Sequence, residues 1–128
     1  MLRRVVLIDD SEPDLLFTSL IIERSGTVQA VRAFDSASEA LAWLLGPESH
    51  DVDLVLLDIN MPGMDGFAFL SEYERSTQGR SAPPVVMLTS SPDPDDQRRA
   101  QAHDSVRGYV VKPITLDVAR DLARHAQG

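Results

Sequence analysis

The chain has no cysteine, so neither a disulfide nor a thiolate metal site can form. It is also short of base. Twelve lysines and arginines stand against 20 aspartates and glutamates, a net charge of −8. A nucleic-acid surface needs clustered Lys and Arg to displace counterions; no such cluster occurs, and direct DNA or RNA binding is not expected. No apolar run approaches the roughly 18 residues of a membrane span. The N-terminus Met1-Leu2-Arg3-Arg4 is basic, but residues 5–8 are too short for a signal-peptide core and run straight into Asp9-Asp10. Internal repeats and low-complexity tracts are absent. What is there is ordinary globular composition, 43% hydrophobic and 25% charged over 128 residues, enough for one domain with a sizeable core and too little for two. The expectation is an acidic, soluble, single-domain protein of the cytoplasm.

Along the chain, strand-like and helix-like patterns alternate. Residues 5–8, 52–57, 85–88 and 109–111 are short apolar runs, ending at Asp9, Asp58, Thr89 and Lys112 respectively. Continuous apolar runs of this length suit strands covered on both faces, as in parallel sheets. A weaker run over 28–33 carries Gln29 and Arg32 and reads as an edge strand. Between the runs lie helical spacings. The i,i+4 pairs Leu16/Leu20 and Phe17/Ile21 mark the first helix, closed by Gly26. Ser36 and Glu39 form a capping box that opens a second, with Ala37, Ala40, Leu41, Leu44 and Leu45 on one side and Gly46-Pro47 as its stop. Phe67, Leu70 and Tyr73 mark a third, and residues 115–126 the last, with Val118, Ala119, Leu122 and Ala126 inward. The segment 94–106 offers only Ala100, Ala102 and Val106 for burial and should be the least anchored helix. Five β-α units predict a parallel sheet with right-handed crossovers and helices on both faces, binding ligands beyond the carboxyl ends of its strands.

Those ends carry the chemistry. Parallel strands bring Asp9, Asp10, Asp58, Thr89 and Lys112 to one edge of the sheet. Three carboxylates and one ammonium sum to −2, and two carboxylates about 4 Å apart repel by roughly 4 kcal/mol at an effective dielectric near 20. A proton or a divalent cation must relieve this. Mg²⁺ brings the sum to zero and suits an all-oxygen ligand set, whereas a transition metal lacks the cysteine or nearby histidine it would want. A hard cation beside a carboxylate, a lysine and a threonine hydroxyl is apparatus for phosphoryl transfer, in which a carboxylate can itself be the nucleophile.

The segments Leu7-Ile8-Asp9-Asp10, Leu56-Leu57-Asp58-Ile59-Asn60-Met61-Pro62-Gly63-Met64-Asp65-Gly66, Met87-Leu88-Thr89-Ser90 and Gly108-Tyr109-Val110-Val111-Lys112-Pro113 together resemble the receiver domains of two-component response regulators, including the single-domain chemotaxis type. The resemblance covers nearly the whole chain. It implies a flavodoxin-like, doubly wound α/β fold with strand order 2-1-3-4-5. It implies that Asp58 accepts a phosphoryl group from a sensor histidine kinase or a phosphotransfer protein, and that Asp10, Asp58 and the backbone carbonyl of Asn60 ligate Mg²⁺ while Asp9 acts mainly through water. Lys112 would pair first with Asp58 and then with a phosphoryl oxygen. Thr89 would move inward to another, and Tyr109 would follow as an aromatic switch. Asn60 and Ser91 would tune the hydrolytic water, and Lys112-Pro113 would be a cis peptide. Residues 89–96 also look like single-domain regulators paired with phytochrome-like or hybrid kinases.

The expected protein is therefore one receiver domain over 1–128 with no output domain and no activity beyond its own phosphorylation and dephosphorylation. It would act on an unknown downstream protein through the fourth helix, fifth strand and fifth helix, a face that would also serve a homodimer. Three rivals differ in kind. A Mg²⁺-dependent aspartyl-nucleophile phosphatase would want a D-x-D motif after the first strand, where Asp9-Asp10-Ser11 stands. A scaffold receiver that is never phosphorylated would lack an acid or the lysine. A segment of a hybrid kinase would not be expected to start at Met1. Plainer roles also exist for single residues. Asp9-Asp10 could cap the first helix, and Asp58 could be a turn residue. Thr89 could be an ordinary strand threonine and Lys112 a solvated strand end. Tyr109 could be strand packing whose phenol has a fixed partner. Gly63, Asp65 and Gly66 read as turn geometry and helix start. His50, His103 and His125 read as surface residues, and Arg98, Arg99 and Arg107 as solvated charges.

Overall fold

The computed structural model describes residues 1–61 and 63–127; Pro62 of the loop motif lies outside them, as does Gly128. The apolar runs become strands β1 (Leu2–Ile8), β3 (Val52–Asp58), β4 (Val85–Thr89) and β5 (Val106–Val111), and the weaker one becomes β2 (Val28–Phe34). All pairings are parallel, in the order β2-β1-β3-β4-β5. The central strands are buried nearly throughout, while β2 and β5 at the edges are half-exposed. Helices α1 (Glu12–Arg24), α2 (Ala37–Leu44), α3 (Gly66–Ser76), α4 (Pro94–Gln101) and α5 (Leu116–Gln127) alternate with the strands. Because side chains alternate across a strand, the sheet feeds two cores. Val6, Ile8, Val55, Leu57 and Met87 pack with Leu44, Phe67, Phe69, Leu70 and Tyr73. Val5, Leu7, Leu54, Leu56, Val86 and Leu88 pack with Leu15, Ile22, Ala119 and Ala123.

Helix starts follow the local chemistry. Ser11, rather than either neighbouring aspartate, caps α1 by accepting from the Asp14 N–H at 3.4 Å. Ser36 caps α2 through Glu39 N–H at 3.3 Å, and Asp65 caps α3 through Ala68 N–H at 2.8 Å. Among the described residues no helix is long and apolar enough to cross a membrane.

Two expectations need correction. Helix α1 exists, but it buries Leu15, Thr18 and Ile22, leaving Leu16, Phe17 and Leu20 exposed. Apolar residues lie all around this helix, so a 3.6-residue period admits more than one stripe and does not select the one facing the sheet. Helix α4 ends at Gln101 and buries only Ala100; Ala102 is exposed and Val106 already belongs to β5. Its anchorage is supplied instead by residues read as solvated. The Arg99 guanidinium lies 4.1 Å from the centre of the Phe67 ring, on which His103 stacks at 6.3 Å. His103 Nδ1 is 2.6 Å from Glu74 Oε1, and Glu74 Oε2 accepts from Ser105 N–H at 2.9 Å and Oγ at 2.6 Å. Burial opposes ionisation of Glu74, but the bonds from His103 and Ser105 outweigh it and hold its carboxyl below the usual range.

Candidate functional site

Backbone bonds carry the parallel register past the strand ends and set the site residues side by side. Asp9 N–H donates to Phe34 O at 3.1 Å, Ile59 N–H to Leu88 O at 3.0 Å and Lys112 N–H to Thr89 O at 2.7 Å. The loop after β3 is closed by Gly66 N–H donating to Ile59 O at 2.8 Å. A Cβ on Gly66 would stand 2.8 Å from the Asp58 carbonyl oxygen and 3.0 Å from Ile59 Cα, both backbone atoms. Gly66→Ala must therefore displace the segment carrying Asp58. Thermal unfolding should show a loss of about 1–3 kcal/mol; an unchanged melting temperature would mean the loop yields freely.

Asp9, Asp10 and Asp58 each offer a carboxylate oxygen, and the three lie within 4.8 Å of one another. Asp9 and Asp58 are 1% and 6% exposed, whereas Asp10 opens to solvent. This is an all-oxygen donor set with one accessible wall, which fits a hard divalent cation. Burial pushes the Asp58 carboxyl up to about 6; the charge of Asp9 adds to the effect and Lys112 offsets part of it. Burial also disfavours the Lys112 ammonium, but hydrogen bonds to Asp9 and Asp14 and the charge of Asp58 outweigh it, keeping Lys112 above the usual lysine range.

Lys112 forms an ion pair with Asp58 and has two closer carboxylate partners besides. Its Nζ donates to Asp9 Oδ2 at 2.7 Å and Asp14 Oδ2 at 2.9 Å, and stands 3.5 Å from Asp58 Oδ1. Asp14 escapes a reading of strand ends because it sits inside α1. It stands in the first turn of α1, three residues beyond the cap Ser11, and nothing in the sequence marks it. The Lys112-Pro113 peptide is cis.

Thr89 is fully buried, and its hydroxyl is engaged within its own turn, donating to Ser91 O at 3.0 Å and accepting from Ser91 N–H at 3.1 Å. Tyr109 pairs with Met87 across the sheet and packs against the first core, yet its enclosed hydroxyl has no hydrogen-bond partner among the described residues. A purely structural tyrosine would be expected to satisfy that group. Asn60 lies exposed two residues beyond Asp58. Asp9 has a second duty, accepting from Ser11 N–H at 2.9 Å ahead of α1.

Comparison with known proteins agrees with this arrangement. The family model for the response regulator receiver domain matches residues 5–124. The chain is 32% identical over 116 residues to a probable methanogenesis regulatory protein, FilR2, of Methanothrix harundinacea (strain 6Ac), covering 88% of this chain and 74% of that protein. It is 30% identical over 117 residues to the two-component response regulator ORR8 of Oryza sativa subsp. indica, covering 91% and 92%. The crystal structure of a two-component response regulator from Cytophaga hutchinsonii superposes with a TM-score of 0.90 at 29% identity, covering 98% of this chain and 97% of that one. Other curated relatives are several times longer, and the chain spans only 16–28% of their length.

Proposed function

The chain belongs to the response regulator receiver family, whose function is phosphorylation on an aspartate, and on that footing we propose that Asp58 is the acceptor. The observation that carries this is the convergence of three carboxylates within 4.8 Å, one of them the buried Asp58, with an ammonium 3.5 Å from Asp58. Receiver domains interact with histidine kinases or phosphotransfer proteins and bind Mg²⁺. An Asp58 oxygen attacks the phosphorus of a phosphohistidine. The O–P bond forms as the N–P bond breaks, the imidazole leaves, and an acyl phosphate remains. Asp10, Asp58 and the Asn60 carbonyl would hold the metal directly and Asp9 through water; the ion supplies positive charge to the oxygens of the group in transfer. Lys112 donates to one phosphoryl oxygen. Thr89, released from Ser91, donates to another, and Tyr109, with no bond to break, turns into the space Thr89 leaves. The new group adds about −1.5 to −2 charge beside α4, which has a single buried residue, so the α4-β5-α5 face is the one that changes. We read residues 1–128 as one receiver unit acting by protein contact on that face, which would also serve a homodimer.

Incubation with acetyl phosphate tests this. Intact mass should rise by one phosphoryl group in the presence of Mg²⁺ and not in excess chelator. Equal uptake under both conditions, or none under either, would contradict the proposal.

A further inference from the structure

Lys112 has three carboxylate partners that differ sharply in what it costs to give each one up. Asp9, at 2.7 Å, has a side chain only 1% exposed. Parting from it would strand a buried charge, the most expensive kind of broken ion pair. Asp58, at 3.5 Å, is the group to be modified. Asp14, at 2.9 Å, is 45% exposed and can return to water at little cost. It reaches the site from the first turn of α1, where its backbone N–H is held by Ser11. A phosphoryl group arriving on Asp58 needs the ammonium of Lys112, and the partner most easily surrendered is Asp14.

We infer that Asp14 is a positioning residue that competes with the phosphoryl group for Lys112, restraining the lysine in the resting protein and limiting how firmly it grips the phosphorylated one. The inference rests on the reading of Asp58 as acceptor. It makes Asp14 a determinant of phosphoryl lifetime rather than of phosphorylation itself. Glu12 provides a control. It carries the same charge on the same turn, is exposed, and makes no hydrogen bond or ion pair among the described residues.

The test uses the full chain at saturating Mg²⁺, measuring affinity for beryllofluoride and the lifetime of the acyl phosphate. Asp14→Asn should raise both by roughly three- to tenfold, the range of a charge-assisted bond at a half-exposed position. Glu12→Gln should stay within about twofold of the parent, as for an unpaired screened charge, and Asp14→Glu should return toward the parent value. An Asp14→Asn protein that matches the parent, falls below it, or is equalled by Glu12→Gln overturns the inference while leaving Asp58 in its role. A parent protein that takes neither beryllofluoride nor phosphoryl overturns the reading beneath it.

Discussion

Asp58→Asn is expected to abolish phosphoryl uptake and at the same time to stabilise the protein, by about 2–3 kcal/mol at neutral pH without metal. Uptake is lost because the amide has no anionic oxygen to attack phosphorus, and stability is gained because the amide removes a buried charge. The Asp58 carboxyl is raised to about 6 chiefly by burial and then by the charge of Asp9. A carboxyl whose folded pKa lies above its unfolded value of about 3.9 binds more protons in the native state between those limits. Stability linked to it is therefore present below pH 4, falls as pH rises through about 6, and stays lost above. The amide carries no such charge. Denaturant melts of parent and variant should nearly coincide below pH 4, separate as pH rises from about 4 to about 6, and stay apart by a constant amount above that, with the variant the more stable. Mg²⁺ should narrow the gap, because it rewards folding of the parent more than of a protein lacking one of the three carboxylates. A variant less stable than the parent at pH 7 would mean that Lys112 already compensates Asp58 in full.

Lys112→Met should cost about 3–5 kcal/mol of stability without metal. The Lys112 side chain is only 9% exposed, and its removal leaves Asp9 and Asp58 facing each other with no internal cation. Methionine fills similar volume, so the loss isolates charge from packing. A divalent cation takes over part of the neutralisation, so Mg²⁺ should raise the melting temperature of the variant by more than it raises that of the parent. If the variant melted with the parent in chelator, the lysine would be contributing no net stabilisation to this cluster.

The strand ends are legible in the sequence because burial on both faces forces continuous apolar runs, and a run that stops at Asp58, Thr89 or Lys112 announces its edge. The convergence of those residues then follows from parallel pairing, and it is what the structure has. Helix faces are less legible. Leu15, Leu16, Phe17, Leu20, Ile21 and Ile22 leave α1 without a single apolar stripe, so its pattern does not select the face that Leu15, Thr18 and Ile22 bury. Side chains that reach across elements are the least legible. Asp14 meets Lys112 across 98 positions, and Glu74 meets His103 across 29. Neither pairing has a sequence period. Each makes sense only once the helices have been laid on the sheet, where a half-buried charge must find its partner.

The most direct measurement locates the phosphoryl group itself. After incubation with acetyl phosphate and Mg²⁺, borohydride reduction converts an acyl phosphate to the corresponding alcohol, and peptide mass mapping identifies the residue changed. The account predicts conversion at position 58 alone; conversion at Asp9, Asp10 or any other acid, or at none, would contradict it.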